Sequence, residues 1–139
     1  MGHCRTMPIT TSHYAHVRLT VTDIDRSRKF YDDVFALPVA VDGQTEDAPD
    51  FAFGGVIYSL GESLLGLRPV ADDTFSEDRT GLDHVAFAVS SKEALDEAAA
   101  HLDSLGIAHE GVKDIGAGYI LEFRDPDNIA LELMAPPAK

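Results

Sequence analysis

Between Ala15 and Thr22 apolar and polar side chains alternate, with Val17, Leu19 and Val21 on one side and His16, Arg18 and Thr20 on the other. The pattern predicts a strand with one buried face and one face carrying polar groups. Helical spacing follows: Phe30, Tyr31, Val34 and Leu37 share a side, Asp23 or Asp25 is placed to cap the start, and Pro38 stops the run. Three extended segments are then expected, at Leu37–Val41, Phe51–Tyr58 and Ser63–Arg68. Gly43, the Gly54-Gly55 pair and Gly61 mark turns or bulges among them.

The pattern then restarts. Residues 70–80 are acidic and poor in aliphatic side chains, which predicts a solvated linker. Beyond it Val85, Phe87 and Val89 alternate with polar or small residues as a second strand of the same kind. Ser90 and Glu93 have the spacing of a capping box ahead of a helix. Leu95, Ala98, Ala99, Leu102 and Leu105 line that helix, and Gly106 ends it. Extended segments are expected at Ile107–Val112, Tyr119–Arg124 and Ile129–Met134. His16-Val17 and Val21 thus return 68 residues later as His84-Val85 and Val89. A repeated strand–helix–three-strand unit of about 55 to 65 residues is the simplest description. It divides the chain into a leader (1–13) and one domain (14–136), made of module one (14–69), the linker (70–80) and module two (81–136). The expected class is α+β, with paired βαβββ modules forming a cup-shaped mixed sheet. One such unit alone leaves a sheet face half covered, and two can share a core and enclose a concavity.

Composition narrows the partners. The 139 residues are 45% apolar, enough for one core, and carry 24 acidic against 11 basic side chains, a formal charge of −13. Such a balance disfavours nucleic acid and anionic membrane surfaces. The single Cys4 has no partner for an internal disulfide. No run approaches a membrane span and no secretory signal is evident, so a soluble, cytoplasmic protein is expected.

Candidate chemistry comes from strand parity. His16 and His84 open equivalent strands on the face opposite the apolar stripe, and Glu132 lies on that same face of the last strand, opposite Ile129, Leu131 and Leu133. A carboxylate within so apolar a strand is costly unless it is paired or bound to a metal. If the units fold alike, two imidazoles and one carboxylate converge with open positions beside them. That donor set suits iron, manganese, zinc or nickel. Arg18 and Arg68 share the parity of His16 and are suited to gripping an anionic group of a substrate bidentately. Tyr58, Phe53 and Tyr119 are candidates for the pocket wall.

These residues resemble a known family. His16-Val17 leading to Thr22-Asp23-Ile24-Asp25-Arg26-Ser27 and Phe30-Tyr31 is similar to the first module of the vicinal oxygen chelate superfamily. Asp83-His84-Val85-Ala86-Phe87-Ala88-Val89, Phe123-Arg124-Asp125-Pro126-Asp127-Asn128 and Leu131-Glu132-Leu133 are similar to its second. That group includes glyoxalase I, bleomycin-resistance proteins, fosfomycin-resistance transferases and extradiol dioxygenases. The resemblance implies a cup, commonly within a homodimer, with a divalent transition metal held by His16, His84 and Glu132. It also implies a Glu or Gln on the fourth strand, where this chain has Gly66, a departure that speaks against the glyoxalase I reaction. The dioxygenase pattern expects Tyr where Glu122 stands, and the fosfomycin pattern expects Thr where Arg18 stands. The expected function is therefore a metal-dependent enzyme of lyase or dioxygenase type, chelating a small oxygenated substrate, with Arg18 and Arg68 suited to an anionic one. A metal-free drug-binding protein of the bleomycin-resistance type is the alternative.

Overall fold

A computed structural model describes residues 7–138. Of the leader, residues 1–6, with Cys4, lie outside the described residues, and 7–13 are exposed without regular structure. Module one contains β1 (His16–Thr20), α1 (Ile24–Phe35), β2 (Val39–Asp42), a 3-10 turn (Asp50–Ala52), β3 (Val56–Leu60) and β4 (Ser63–Arg68). Module two contains β5 (Val85–Ala88), α2 (Lys92–Ser104), β6 (Lys113–Asp114), β7 (Tyr119–Arg124) and β8 (Ala130–Ala135). Each module forms one four-stranded mixed sheet, in the orders β1-β4-β3-β2 and β5-β8-β7-β6. In both sheets the first strand runs parallel to the last, and the other pairs are antiparallel. The architecture is the expected α+β arrangement of two βαβββ units.

Local chemistry explains most element ends, and also where they depart from the expected bounds. Asp23 caps α1 by accepting from the Arg26 N–H, and Ala36 closes it in the left-handed region. Ser91, rather than Ser90, caps α2 by accepting from the Ala94 N–H. The segment expected to be extended from Phe51 starts instead as the 3-10 turn, and β3 begins only at Val56. Between them Gly55 passes so close to the β4 backbone that a Cβ there would stand 1.9 Å from the Leu67 carbonyl oxygen. The strand expected over Ile107–Val112 is reduced to one bridge, His109 to Phe123, because Gly111 turns the chain at φ 78°. Pairing with β7 resumes at Lys113.

The modules are joined through α1, which packs on the second sheet. Phe35 lies 4.7 Å from Phe87 and Phe30 lies 6.3 Å from Phe123, ring centre to ring centre. A buried polar joint lies beside these rings. The Tyr31 hydroxyl donates to Asp125 Oδ2 at 2.8 Å, while Asp125 Oδ1 accepts from the Asp127 and Ile129 N–H groups. Asp127 in turn accepts from the Thr22 N–H, the Thr22 hydroxyl and Arg26. The Asp125–Asn128 stretch is thus a turn, and its two buried carboxylates also fasten the first helix to the second sheet.

The acidic linker is strapped down rather than simply solvated. Arg124 makes two hydrogen bonds to Glu77, at 2.8 and 2.6 Å, the Phe75 N–H donates to the Asp127 carbonyl, and Asn128 Nδ2 donates to the Phe75 carbonyl. Among the described residues no helix is long and apolar enough to cross a membrane.

Candidate functional site

Alternation on the second sheet leaves one face for Val85, Phe87, Leu121, Phe123, Leu131 and Leu133, which are drawn into the core. The other face carries His84, just ahead of β5, together with Glu122 and Glu132. The register pairs Ala86 with Glu132 on one side of β8 and Glu122 with Glu132 on the other. Two carboxylates directly opposite on one face repel unless a cation sits between or beside them. Lys113 Nζ comes only to 3.9 Å of Glu122. The Glu132 side chain is 14% exposed, and the His84 imidazole lies beside it, with Nε2 3.9 Å from Oε1. His84 Nδ1 lies 2.6 Å from Asp83 Oδ1. That contact fixes the ring and aims Nε2 toward Glu132, the way a carboxylate orients a metal-binding imidazole. The Asp83 hydrogen bond, with Glu132 and Glu122 behind it, also raises the His84 pKa above its ordinary value. These groups line a cleft of about 400 Å3.

On the first sheet the same parity presents His16, Arg18 and Arg68. Arg18 pairs in register with Gly66, which takes in this sheet the place of Glu132 in the other. The Arg18 stem lies across that glycine, so a Cβ on residue 66 would stand 3.0 Å from Arg18 Cγ. Phe53 turns its ring onto both arginines, 4.3 Å from the Arg68 guanidinium carbon and 5.6 Å from that of Arg18.

The predicted site residues therefore divide into three groups. His84 and Glu132 come together, as do Arg18, Arg68 and Phe53. His16 is exposed and lines a different cleft, beside Tyr14, Leu64 and β5. Among the described residues no three His, Cys, Asp or Glu side chains are close enough to share one metal ion.

Tyr58 and Tyr119 belong to neither face group, contrary to expectation. Tyr58 pairs with Leu65 and is 1% exposed in the core, where burial pushes its hydroxyl pKa up. Tyr119 has the parity of Leu121 and Phe123 and packs against the core under α2, with Lys92 Nζ 5.9 Å from its ring centre. Their residue type suits a pocket wall, but strand parity points both inward. Glu122 was not among the candidate site residues. The turn chemistry of Asp125–Asn128 makes β7 and β8 a hairpin, and the facing pair Glu122–Glu132 follows from its register.

Comparison with known proteins agrees with this architecture. The family described as the Glyoxalase/Bleomycin resistance protein/Dioxygenase superfamily matches residues 13–133. A glyoxylase/bleomycin resistance protein/dioxygenase domain from Frankia sp. EAN1pec is 32% identical, with 91% of this chain and 93% of that one covered and a TM-score of 0.70. A mutant of the fosfomycin resistance protein FosX from Listeria monocytogenes, complexed with Mn(II) and 1S,2S-dihydroxypropylphosphonic acid, shares the fold at 20% identity. That superposition covers 91% of this chain and 94% of that one, with a TM-score of 0.70. A lactoylglutathione lyase of Schizosaccharomyces pombe is 28% identical over 152 residues, 94% of this chain but 49% of the relative. The chain thus spans about half the length of that curated relative.

Proposed function

Because the chain belongs to the Glyoxalase/Bleomycin resistance protein/Dioxygenase superfamily, we propose that it is a metal-dependent enzyme acting on a small oxygenated substrate. His84 and Glu132 of one chain, with His16 of a second copy, are the ligands of a divalent metal in this reading. The observation that carries it is the state of Glu132. It is a largely buried carboxylate facing a second carboxylate, and among the described residues the one basic side chain that reaches it is the His84 imidazole. A cation there removes both the burial cost and the repulsion. The donor set, nitrogen and oxygen without thiolate, fits iron, manganese, zinc or nickel. His16 completes it only from another molecule, because within one chain it lines a separate cleft. A homodimer that brings the first sheet of one chain to the second sheet of the other supplies the third ligand.

When bound, such a metal supplies Lewis acidity toward two vicinal oxygens of the substrate. The chain's own residues do the rest. Asp83 holds the His84 ring in one tautomer. Glu122, across the strand pair from Glu132, is placed to hold or pass a proton at its carboxylate. Gly66 offers no carboxylate in module one, and the Arg18 stem fills the space a side chain there would need. A reaction that needs a second carboxylate base at that position is therefore disfavoured, which sets this chain apart from the glyoxalase I pattern.

The test is elemental analysis after reconstitution with each of the four metals. About one equivalent per chain is expected, and Glu132→Gln should weaken uptake at least about tenfold. Less than about a tenth of an equivalent for every metal overturns the reading and leaves a metal-free small-molecule binding protein of the same superfamily.

A further inference from the structure

Of the six described arginines, four sit on carboxylates: Arg26 on Asp127, Arg28 on Asp42, Arg79 on Asp73 and Arg124 on Glu77. Arg18 and Arg68 meet none among the described residues, in a chain with 24 acidic side chains to choose from. They are also brought together. Arg18 pairs with Gly66 and Thr20 pairs with Arg68 in the β1–β4 register, so the two guanidiniums rise from diagonal positions with only glycine and threonine between them. Both lie against the Phe53 ring, which gathers two like charges at one place.

The surroundings hold this cluster without neutralising it. Arg18 donates one Nη2 hydrogen bond to the Phe51 carbonyl, a neutral acceptor, and its buried Nε–H has no acceptor among the described residues. Phe53 adopts the left-handed region at φ 51°, an unfavourable place for a bulky side chain, and does so 51% exposed. Gly55, pressed against the Leu67 carbonyl, fixes the end of the turn that presents it. A strained aromatic residue, two guanidiniums that meet no carboxylate among the described residues and the Thr20 hydroxyl on one face make a cluster suited to an anion.

We propose that Arg18, Thr20 and Arg68, roofed by Phe53, bind the anionic group of the substrate, a carboxylate or a phosphonate, as a bidentate oxyanion site. The proposal rests on the reading of this face as part of the substrate site and deepens it. His16 and Arg18 are two residues apart on one face of β1, so an anion on the arginines lies roughly 6–7 Å along the strand from His16. The substrate class is a small oxygenated acid that carries its charge at one end and its oxygens toward His16.

The experiment uses the full-length protein stripped of metal by chelation. Acetate, methylphosphonate and inorganic phosphate are titrated separately while the arginine Nε–Hε signals are followed by NMR. Saturable shifts of the Arg18 and Arg68 signals are expected, with those of Arg28 and Arg124 unmoved. The better ligand of acetate and methylphosphonate identifies the charged group. R18K and R68K keep the charge and lose the fork, and each should weaken binding at least about fivefold. Shifts that stay linear to about 50 mM for all three anions overturn the proposal, as do affinities unchanged in both lysine variants. Metal uptake measured on the same preparations separates the two readings. Anion binding without metal uptake overturns only the metal assignment, and metal uptake without anion binding overturns only the oxyanion site.

Discussion

Burial governs the Asp125 carboxyl at the joint between the modules. It pushes the carboxyl pKa up, and the Tyr31 hydrogen bond pulls it part of the way back. A carboxyl raised in the folded state contributes stability below its unfolded pKa, and that contribution is lost as pH rises through the folded value. Removing the Tyr31 hydroxyl raises the folded value further, so the damage is greatest where Asp125 is ionised. Tyr31→Phe is expected to cost about 1–3 kcal/mol at neutral pH. Chemical denaturation should show a smaller deficit at about pH 3. A deficit that does not change with pH would mean that Asp125 is not the group Tyr31 serves. The face a side chain takes was legible in the sequence where parity alone decided it, as for His84, Glu132, Arg18 and Arg68. It was missed where residue type was allowed to outweigh parity, as for Tyr58 and Tyr119. Phe53 reaches the arginines through a left-handed backbone turn that no periodicity announces.

Elements are positioned here by a few close backbone passages and one strap. Gly55 lies against β4 with no room for a methyl group, and Gly55→Ala requires the β3–β4 pairing to shift. Its expected cost is about 3 kcal/mol or more, read from the denaturation midpoint. Tolerance of the alanine would show that this turn is not pinned to β4. The strap that holds the linker to module two depends on Arg124, whose hydrogen bonds hold the Glu77 carboxyl down to about 2. A depressed carboxyl contributes stability above its unfolded pKa and loses it as pH falls through the folded one, so this tie should persist until about pH 2. In Arg124→Gln, NMR titration should return Glu77 to the ordinary range, and hydrogen exchange at the Phe75 N–H should quicken several-fold. Unchanged exchange would show that the Phe75 and Asn128 contacts hold the segment unaided. The linker's composition did not disclose the strap, because both anchoring side chains come from a turn and a strand some 50 residues away in the chain. The repeat itself was plain, since the stretches from His16-Val17 and from His84-Val85 alternate in the same way, 68 residues apart.

At the scale of the whole molecule, the two sheets share a core through α1 yet keep their polar faces apart. The acidic group around His84 and Glu132 lines one cleft, the arginines stand under Phe53, and His16 lines another cleft. Sequence parity correctly placed each residue on a polar face. It could not say which faces meet, because that depends on how whole modules pack rather than on how a strand alternates. The proposed homodimer resolves this by joining His16 of one chain to His84 and Glu132 of the other. The decisive measurement is metal content after mixing two inactive parents, H16A and E132A, under conditions that exchange subunits. A site shared between chains leaves both parents empty, yet restores one intact site in every mixed dimer, so about one metal per mixed dimer is predicted. A mixture as empty as its parents, while the unmutated protein loads fully, would contradict the shared site.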